Sequence, residues 1–369
     1  MSYHRFTGLK ILRHYPTLER ILNGEMPYPL DWHIYPSNIC NHKCTFCMFR
    51  QPSGGDGKVE QFDFAVKLDK NVLFRAVEDA YRTGAVLIHF SGGGEPLLNR
   101  WTLPAMELAQ ALIAGNCRDE RERGPMKITL TTNGARITED VAKTVDYLRI
   151  SLNAGTKHQH WATNHGSDEK DPGDWEKILG NVKVAAKVKR GDIGLAFVVT
   201  PDNWRDVYPF CQVAAECNVD FVHIRPGFFY DEEMNQRMRA IISSAFALCE
   251  EAKAHYGDRV QIFSLTDKFE GYWTPRTYKA CRAVLTGITL RATGDFAVCQ
   301  DRPDLTFGTN PNYALGARFE DVWHSDQHRD IIKTIVDGEE LDKCPRCVWN
   351  NRNMILDALE NDSMRMNLL

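Results

Sequence analysis

The stretch "DWHIYPSNICNHKCTFCMFRQ", residues 31–51, opens on a short apolar run and then sets Cys40, Cys44 and Cys47 within eight positions. Its first part, "WHIYPS" (32–37), is aromatic and β-branched and predicts a strand, so the cysteines fall in the loop at that strand's end. Five similar runs follow: "VLIHFS" (86–91), "KITLTT" (127–132), "YLRISL" (147–152), "IGLAFVV" (193–199) and "FVHIRP" (221–226). Amphipathic stretches near 66–83, 102–114, 138–145, 174–190 and 206–217 predict helices between them. Six strands alternating with five helices imply right-handed βαβ units and a parallel sheet. Periodicity alone leaves open whether that sheet is flat or curled into part of a barrel. The strand ends, among them "SGGGEPLL", "TNGAR" and "SLNAGTKHQH", are rich in Gly, Asn, Ser, Thr and His. In such folds function gathers at the carboxyl ends of the strands, so one face is expected to carry the site.

The bulk properties exclude several classes. A chain of 369 residues, 43% hydrophobic and 25% charged, is that of a soluble globular protein with a length prior of two domains. A net charge of −4 argues against nucleic acid as the main partner, and "KVAAKVKR" (183–190) has the spacing of a solvated helix face. No apolar run approaches the roughly 18 residues that would span a bilayer. The first residues lack a signal peptide's apolar block, so a cytoplasmic location with reduced thiols is expected. Eleven cysteines, an odd number, also disfavour a complete disulfide framework.

Metal chemistry is the remaining explanation of the clustered cysteines. Spacing CxxxCxxC lets one loop place three sulfurs around one face of a 4Fe–4S cube, leaving the fourth iron open. A structural zinc site normally closes with four ligands. His42 offers itself as a fourth, but wrapping one metal is cramped between Cys40 and Cys44. Near the far end, Cys281 is followed by Gly294 and Cys299, and "CPRC" supplies Cys344 and Cys347. Taken alone, two such pairs around a hairpin suit a zinc ribbon equally well. From about 232 the strand–helix alternation changes. A long helix over 232–256 is expected, then a strand near "RVQIFSL" (259–265), a hairpin in "GITLRATGDFAVC" (287–299), and one amphipathic helix across "FEDVWHSDQHRDIIKTIV" (319–336).

The cysteine loop after the first strand, with Phe46 before its third cysteine, resembles the radical S-adenosylmethionine (radical SAM) enzymes. "SGGGEPLL" (91–98), "TNG" (132–134), "ISLNA" (150–154) and "IRP" (224–226) stand at later strand ends in that superfamily's order, so the resemblance covers roughly 31–226. It implies an α/β fold, a partial (β/α)6 TIM-type barrel holding a 4Fe–4S cluster and S-adenosylmethionine in its mouth. Cys40, Cys44 and Cys47 would hold the cube, whose open iron is chelated by the cofactor's amino and carboxylate groups. An electron passed to the sulfonium then yields a 5′-deoxyadenosyl radical. Phe46, Gly93, Gly94, Glu95, Asn133 and Ser151 would form the cofactor site. Gly93 and Gly94 would admit the methionine amino group, Glu95 would brace the loop, Ser151 would meet the carboxylate or ribose, and Asn133 the ribose. Many relatives place an arginine about a dozen residues after that serine; this chain has Thr163 there.

The C-terminal cysteines, with "ALGARFEDVWHSD" (314–326) between them, are similar to the twitch module, the short form of the SPASM extension, which carries one auxiliary 4Fe–4S cluster. The association favours a cluster over zinc at Cys281, Cys299, Cys344 and Cys347. The implied organisation is an N-terminal extension at 1–30, the radical SAM domain at 31–230, a linker closing the barrel at 231–275, and a small α+β twitch domain at 276–369. Cys117, Cys211, Cys217 and Cys249 have no metal spacing. Cys249 shares an apolar helix face with Ile242, Ala245, Phe246 and Ala252, and either packs there or donates a hydrogen atom. His158, His160 and His165 are expected to line the mouth or face solvent rather than hold a metal. Arg225 would steer an anionic or hydroxyl-bearing group or form a salt bridge.

The expected function is hydrogen abstraction from a small-molecule C–H bond, oxidising or epimerising a sugar, aminoglycoside or cyclitol, with a reductant such as flavodoxin or ferredoxin as partner. The layout is similar to carbohydrate-modifying members of the superfamily. A ribosomal-peptide maturase is one alternative, and a non-catalytic iron–sulfur electron-transfer protein is another of a different class. A cofactor-type cyclase acting on GTP is disfavoured because its C-terminal cysteine spacing differs.

Overall fold

A computed structural model of the chain describes residues 8–50, 62–115, 124–165, 173–227, 229, 231–264, 276–344 and 347–361. Cys117 lies outside them. A 3-10 turn at Gly8–His14 leads into α1 (Tyr15–Leu22), which buries Leu18 and Ile21. The alternation then runs β1 (Asp31–Ile34), α2 (Lys70–Arg82), β2 (Leu87–Phe90), α3 (Thr102–Ala114), β3 (Lys127–Thr132), α4 (Glu139–Thr144) and β4 (Tyr147–Ser151). It continues with α5 (Lys157–Asn164), α6 (Trp175–Val188), β5 (Asp192–Val199), α7 (Val207–Glu216), β6 (Phe221–Pro226), α8 (Glu232–Tyr256) and β7 (Gln261–Ser264). The helix starts follow side-chain chemistry: Asp69, Thr138, Thr156 and Asp231 each accept a backbone N–H of the first turn of α2, α4, α5 and α8.

All six predicted strands and all five predicted helices are present. Strands β1 to β7 pair in parallel and in sequence order. The C-terminal hairpin of β8 (Gly287–Leu290) and β9 (Phe296–Cys299), with β10 (Arg302–Phe307), continues the same sheet, because β8 pairs in parallel with β1. The result is one ten-stranded sheet in the order β10-β9-β8-β1-β2-β3-β4-β5-β6-β7.

Among the described residues the remaining helices are α9 (Phe319–Trp323), α10 (Asp326–Val336) and α11 (Asn350–Asn361). The single helix expected over 319–336 is therefore two. Ser325 is extended, and its hydroxyl accepts the His328 N–H at 3.2 Å, so it caps a new helix instead of continuing the old one. Among the described residues no helix is long and apolar enough to cross a membrane.

Register separates the two faces of the sheet. Ile34, Phe90, Leu130, Leu148, Leu195 and Ile224 belong to the buried apolar core. The alternate positions carry polar groups aligned across strands: Thr289, His33, His89 and Thr129 in one row, Thr131 beside Arg149, and Ser151, Ala196 and His223 in another. A parallel sheet covered by helices on both faces would be apolar on both. This one keeps a hydrogen-bonding face.

Candidate active site

The cysteine loop leaves β1 through a tight local network. Ile39 N–H donates to Ser37 Oγ at 3.0 Å, Asn38 N–H to the Val66 carbonyl at 2.9 Å, and Asn38 Nδ2 to the Asp63 carbonyl at 2.9 Å. Burial pushes all three thiols up, Cys40 to about 11, Cys44 well above its usual value, and Cys47 as well. Cys40 also senses Cys47, and Cys44 senses both Cys40 and Cys47, so the three sulfurs lie within electrostatic reach. Backbone N–H groups point at two of them, from His42 to Cys40 (3.4 Å) and from Phe49 and Arg50 to Cys47. Buried thiols with N–H donors ionise only beside a cation, which is the donor set an iron–sulfur cluster requires. Phe46 is half-buried against the core beside them.

The glycine-rich loop after β2 sits directly on this loop. Gly94 N–H donates to the Ser37 carbonyl (3.0 Å) and Glu95 N–H to the Ile39 carbonyl (2.8 Å). A Cβ on Gly94 would overlap the Ile39 carbonyl and the Asn38 backbone, and one on Gly93 would overlap the Phe62 ring. These glycines are thus required by contact between two loops of the chain itself. Glu95 is buried and its carboxylate accepts from Leu97 N–H (3.0 Å), Thr132 Oγ (2.7 Å) and Asn133 N–H (2.7 Å). It ties the ends of β2 and β3 together, with burial raising its pKa against those donors. Asn133 is buried, and its Nδ2 donates to Asn41 Oδ1 of the cysteine loop at 2.8 Å. Ser151 is half-buried at the end of β4.

Helix α5, missed in the sequence, docks on the cysteine loop from the other side. Lys43 N–H donates to the Asn164 carbonyl (2.8 Å) and Thr45 N–H to the Thr163 carbonyl (3.0 Å), while Cys44 Sγ lies 3.6 Å from Asn164 Oδ1. Thr163, buried, accepts from Gln159 Nε2 at 2.6 Å. His158 is exposed, but His160 and His165 are buried and turn toward Asp174, where His42 joins them. Burial opposes ionisation of Asp174, yet hydrogen bonds from His160, His165 and His42 hold its carboxyl well below the usual range.

On the polar face, the His33 and His89 rings lie 5.1 Å apart and His89 Nε2 is 2.9 Å from Thr131 Oγ. Burial lowers both, His33 to about 4 and His89 well below its usual value, so at neutral pH they offer hydrogen bonds rather than charge. Arg149 supplies positive charge nearby and depresses both. Arg225 is exposed at the end of β6. Cys249 is placed elsewhere. It lies about 25 Å along α8 from the helix start, buried and beside Cys211 of α7, with its thiol pushed up to about 12. That position belongs to helix packing.

The C-terminal cysteines lie within electrostatic reach near the hairpin's end, Cys281 sensing Cys344 and Cys347, and Cys299 sensing Cys281 and Cys347. Each sulfur faces an N–H donor. Asp301 N–H reaches Cys299 (3.4 Å), Arg302 Nη1 reaches Cys344 (3.9 Å), and Asn353 Nδ2 reaches Cys281 (3.1 Å) and Cys347 (3.7 Å). Burial pushes Cys281 up to about 12, Cys299 well above its usual value, and Cys347 upward. Sequence alone could not have singled out Asn353 and Arg302.

A parallel sheet with a three-cysteine loop and a glycine loop at its strand ends defines a radical SAM protein. Residues 34–214, just under half of the chain, match the model of the radical SAM superfamily and form a radical SAM domain. Members use a 4Fe–4S cluster and S-adenosylmethionine, and this chain has cysteines for such a cluster. A probable GTP 3′,8-cyclase of Sulfurisphaera tokodaii is 23% identical over 290 residues, covering 74% of this chain and 82% of its own. For other cyclases of that name, such as that of Sulfolobus acidocaldarius, the match spans about half of their length, 55% in that case. Among solved structures, SuiB of Streptococcus suis bound to precursor peptide SuiA has a TM-score of 0.57 at 16% identity, over 88% of this chain and 70% of SuiB. Native anSMEcpe with bound AdoMet and a Kp18Cys peptide has a TM-score of 0.56 at 16% identity, over 92% of this chain and 99% of its own. At that identity these structures share the fold alone.

Proposed function

We propose that the chain cleaves S-adenosylmethionine reductively and oxidises a small hydroxyl-bearing molecule, a sugar, aminoglycoside or cyclitol, at a C–H bond. When bound, the cluster and S-adenosylmethionine supply the 5′-deoxyadenosyl radical. Cys40, Cys44 and Cys47 hold that cluster; Asn38, Gly94 and Glu95 fix the loop that presents it, and Asn133 ties it to the end of β3. The polar face of the sheet orients substrate hydroxyls through the neutral rings of His33 and His89, the hydroxyls of Thr131 and Ser151, and the guanidinium of Arg149.

The observation that carries the reading is the second sulfur set. Oxidising an alcohol removes a hydrogen atom, a proton and one further electron. Four cysteines, each with an N–H donor, give that last electron a destination in an auxiliary cluster, whereas epimerisation would not need one. Asn353 and Arg302 stabilise the negative charge that the set gains.

A second reading, cyclisation of GTP, draws on the printed names of the sequence relatives, and Arg149 would suit a phosphate. One experiment separates them. Reconstituted protein with dithionite and S-adenosylmethionine is offered polyols, aminocyclitols and GTP, and 5′-deoxyadenosine is measured. Formation coupled to oxidation of a polyol or cyclitol supports the first reading. Coupling to GTP alone transfers the chain to the second, and no release of 5′-deoxyadenosine from fully loaded protein sinks both.

A further inference from the structure

The residues His42, His160, His165 and Asp174 come from three separate segments and close on one point. His42 lies in the cysteine loop between Cys40 and Cys44, His160 and His165 lie on and just after α5, and Asp174 immediately precedes α6. Their side chains are 2%, 1%, 6% and 14% exposed. Nε2 of His42 is 3.0 Å from Asp174 Oδ2, and Nε2 of His160 and of His165 are 3.1 and 3.3 Å from Oδ1. One ligand atom from each of the four lies within 4.8 Å of every other. The three rings are steeply inclined to one another, at 79°, 64° and 66°.

We propose that these four side chains form a closed site for a divalent metal ion, zinc by its chemistry, that pins the cysteine loop to α5 and α6. A tetrahedral zinc with bonds of about 2.0–2.1 Å separates its ligand atoms by roughly 3.3–3.4 Å; the His160 and His165 distances to Asp174 Oδ1 lie at or just inside that edge, while Nε2 of His42 stands 3.0 Å from the other oxygen, Oδ2. Three imidazoles and a carboxylate match zinc's preference for nitrogen and oxygen, and four protein ligands leave no open position, which marks a structural site. Ligation through Nε2 moves each ring proton to Nδ1. At His160 that proton displaces the 2.8 Å contact from Asn164 Nδ2, which keeps its 2.8 Å bond to the Leu152 carbonyl.

The alternative arrangement is metal-free, with three neutral imidazoles donating Nε2–H to one carboxylate. A carboxylate has room for three donors. Three donors on one carboxylate also stand close to one another, so the two arrangements are separated by whether an ion is bound.

The ion would act on the cysteine loop without touching the cluster. Backbone bonds from Lys43 and Thr45 already hold the loop against α5, and His42 would add a third anchor inside the three-cysteine segment. The inference does not depend on the substrate reading.

Protein purified anaerobically from zinc-supplemented medium, clusters in place, is assayed for zinc by mass spectrometry and by zinc K-edge absorption. We expect about one zinc per chain, with nitrogen and oxygen at about 2.0 Å and no sulfur at about 2.3 Å. His160→Gln and Asp174→Asn should each bring zinc to background. To separate loss of the ion from loss of the fold, wild-type protein is also treated with a chelator, which should lower the melting temperature at unchanged iron content, with zinc restoring it. A sulfur first shell would place the ion at Cys281, Cys299, Cys344 and Cys347 and overturn the assignment. So would zinc-free protein that melts at the same temperature with and without added zinc, the signature of the hydrogen-bonded cluster alone.

Discussion

Asn353 Nδ2 lies 3.1 Å from Cys281 Sγ, and the same side chain accepts the Ala283 N–H through Oδ1 at 2.9 Å. One buried amide therefore serves as a sulfur donor and as a backbone cap. Asn353→Asp keeps the acceptor and removes the donor, putting negative charge beside the sulfurs. The auxiliary cluster's reduction potential should fall, since hydrogen bonds to sulfur and local charge set it. An EPR-monitored redox titration with an unchanged second potential would show that Asn353 does not face a cluster.

Gly94 and Gly180 make a matched pair. Gly94→Ala drives a methyl into the backbone of the cysteine loop, so iron bound at the first site and release of 5′-deoxyadenosine should both fall roughly tenfold or more, the scale on which a misplaced positioning element acts. Gly180, within α6, has open space where its Cβ would stand. Gly180→Ala should instead stabilise by about 0.5–1 kcal/mol. Thermal melts and iron assays check both, and equal behaviour of the two would refute the loop-contact argument.

Glu95→Ala strands three donors, of which those of Thr132 and Asn133 are buried and each worth about 1–3 kcal/mol when left unpaired. We expect a lowered melting temperature together with weaker binding of S-adenosylmethionine, because β2 and β3 lose their tie. Glu95→Gln should recover part of both, since its oxygen still accepts. A melting temperature equal to wild type in the alanine variant would contradict the bracing role.

Burial pushes His328 down to about 4, and its ring stacks on Phe307 at 3.8 Å while Nδ1 meets the Trp323 carbonyl at 2.7 Å. The folded pKa is below the unfolded one, so its contribution is complete above pH 6.5 and is lost as pH falls toward 4. The full effect is about 3 kcal/mol. His33 has the same sign. Melting temperature should therefore drop across that window, less steeply for His328→Phe; a parallel decline in both proteins would assign the loss elsewhere.

Cys249→Ala tests the remaining thiol. Its site between α7 and α8 predicts a stability loss with turnover unchanged, measured as product formed per 5′-deoxyadenosine. Uncoupling of the two would restore the hydrogen-donor reading.

The strands of the superfamily region were legible because each carries its apolar face in a short local run, as in "KITLTT", and the three-cysteine loop stood out because its spacing is local. Helix α5 was not, since the residues it buries, His160, Thr163 and Asn164, are polar and leave no apolar stripe. A signal existed in Thr156 followed by Gln159, a capping-box pair, and Thr156 Oγ accepts the Gln159 N–H at 3.2 Å. The break at Ser325 was hidden because the apolar period runs through it. The meeting of His42 with Asp174, and of Asn353 with Cys281, depends on how distant segments fold together, which no local pattern encodes.

The parallel pairing of β8 with β1 bears on how the chain is made. Strand β1 acquires its second neighbour only when residues about 250 positions later have left the ribosome, roughly 13–50 s afterwards at ordinary synthesis rates. Until then the strand that carries the cysteine loop has a bare edge, and Trp32, fully buried in the finished protein, lacks its edge-on packing against Phe296. A chain cut after the region matching the superfamily would keep that exposed edge for good, so truncated forms should aggregate rather than report on the first cluster alone.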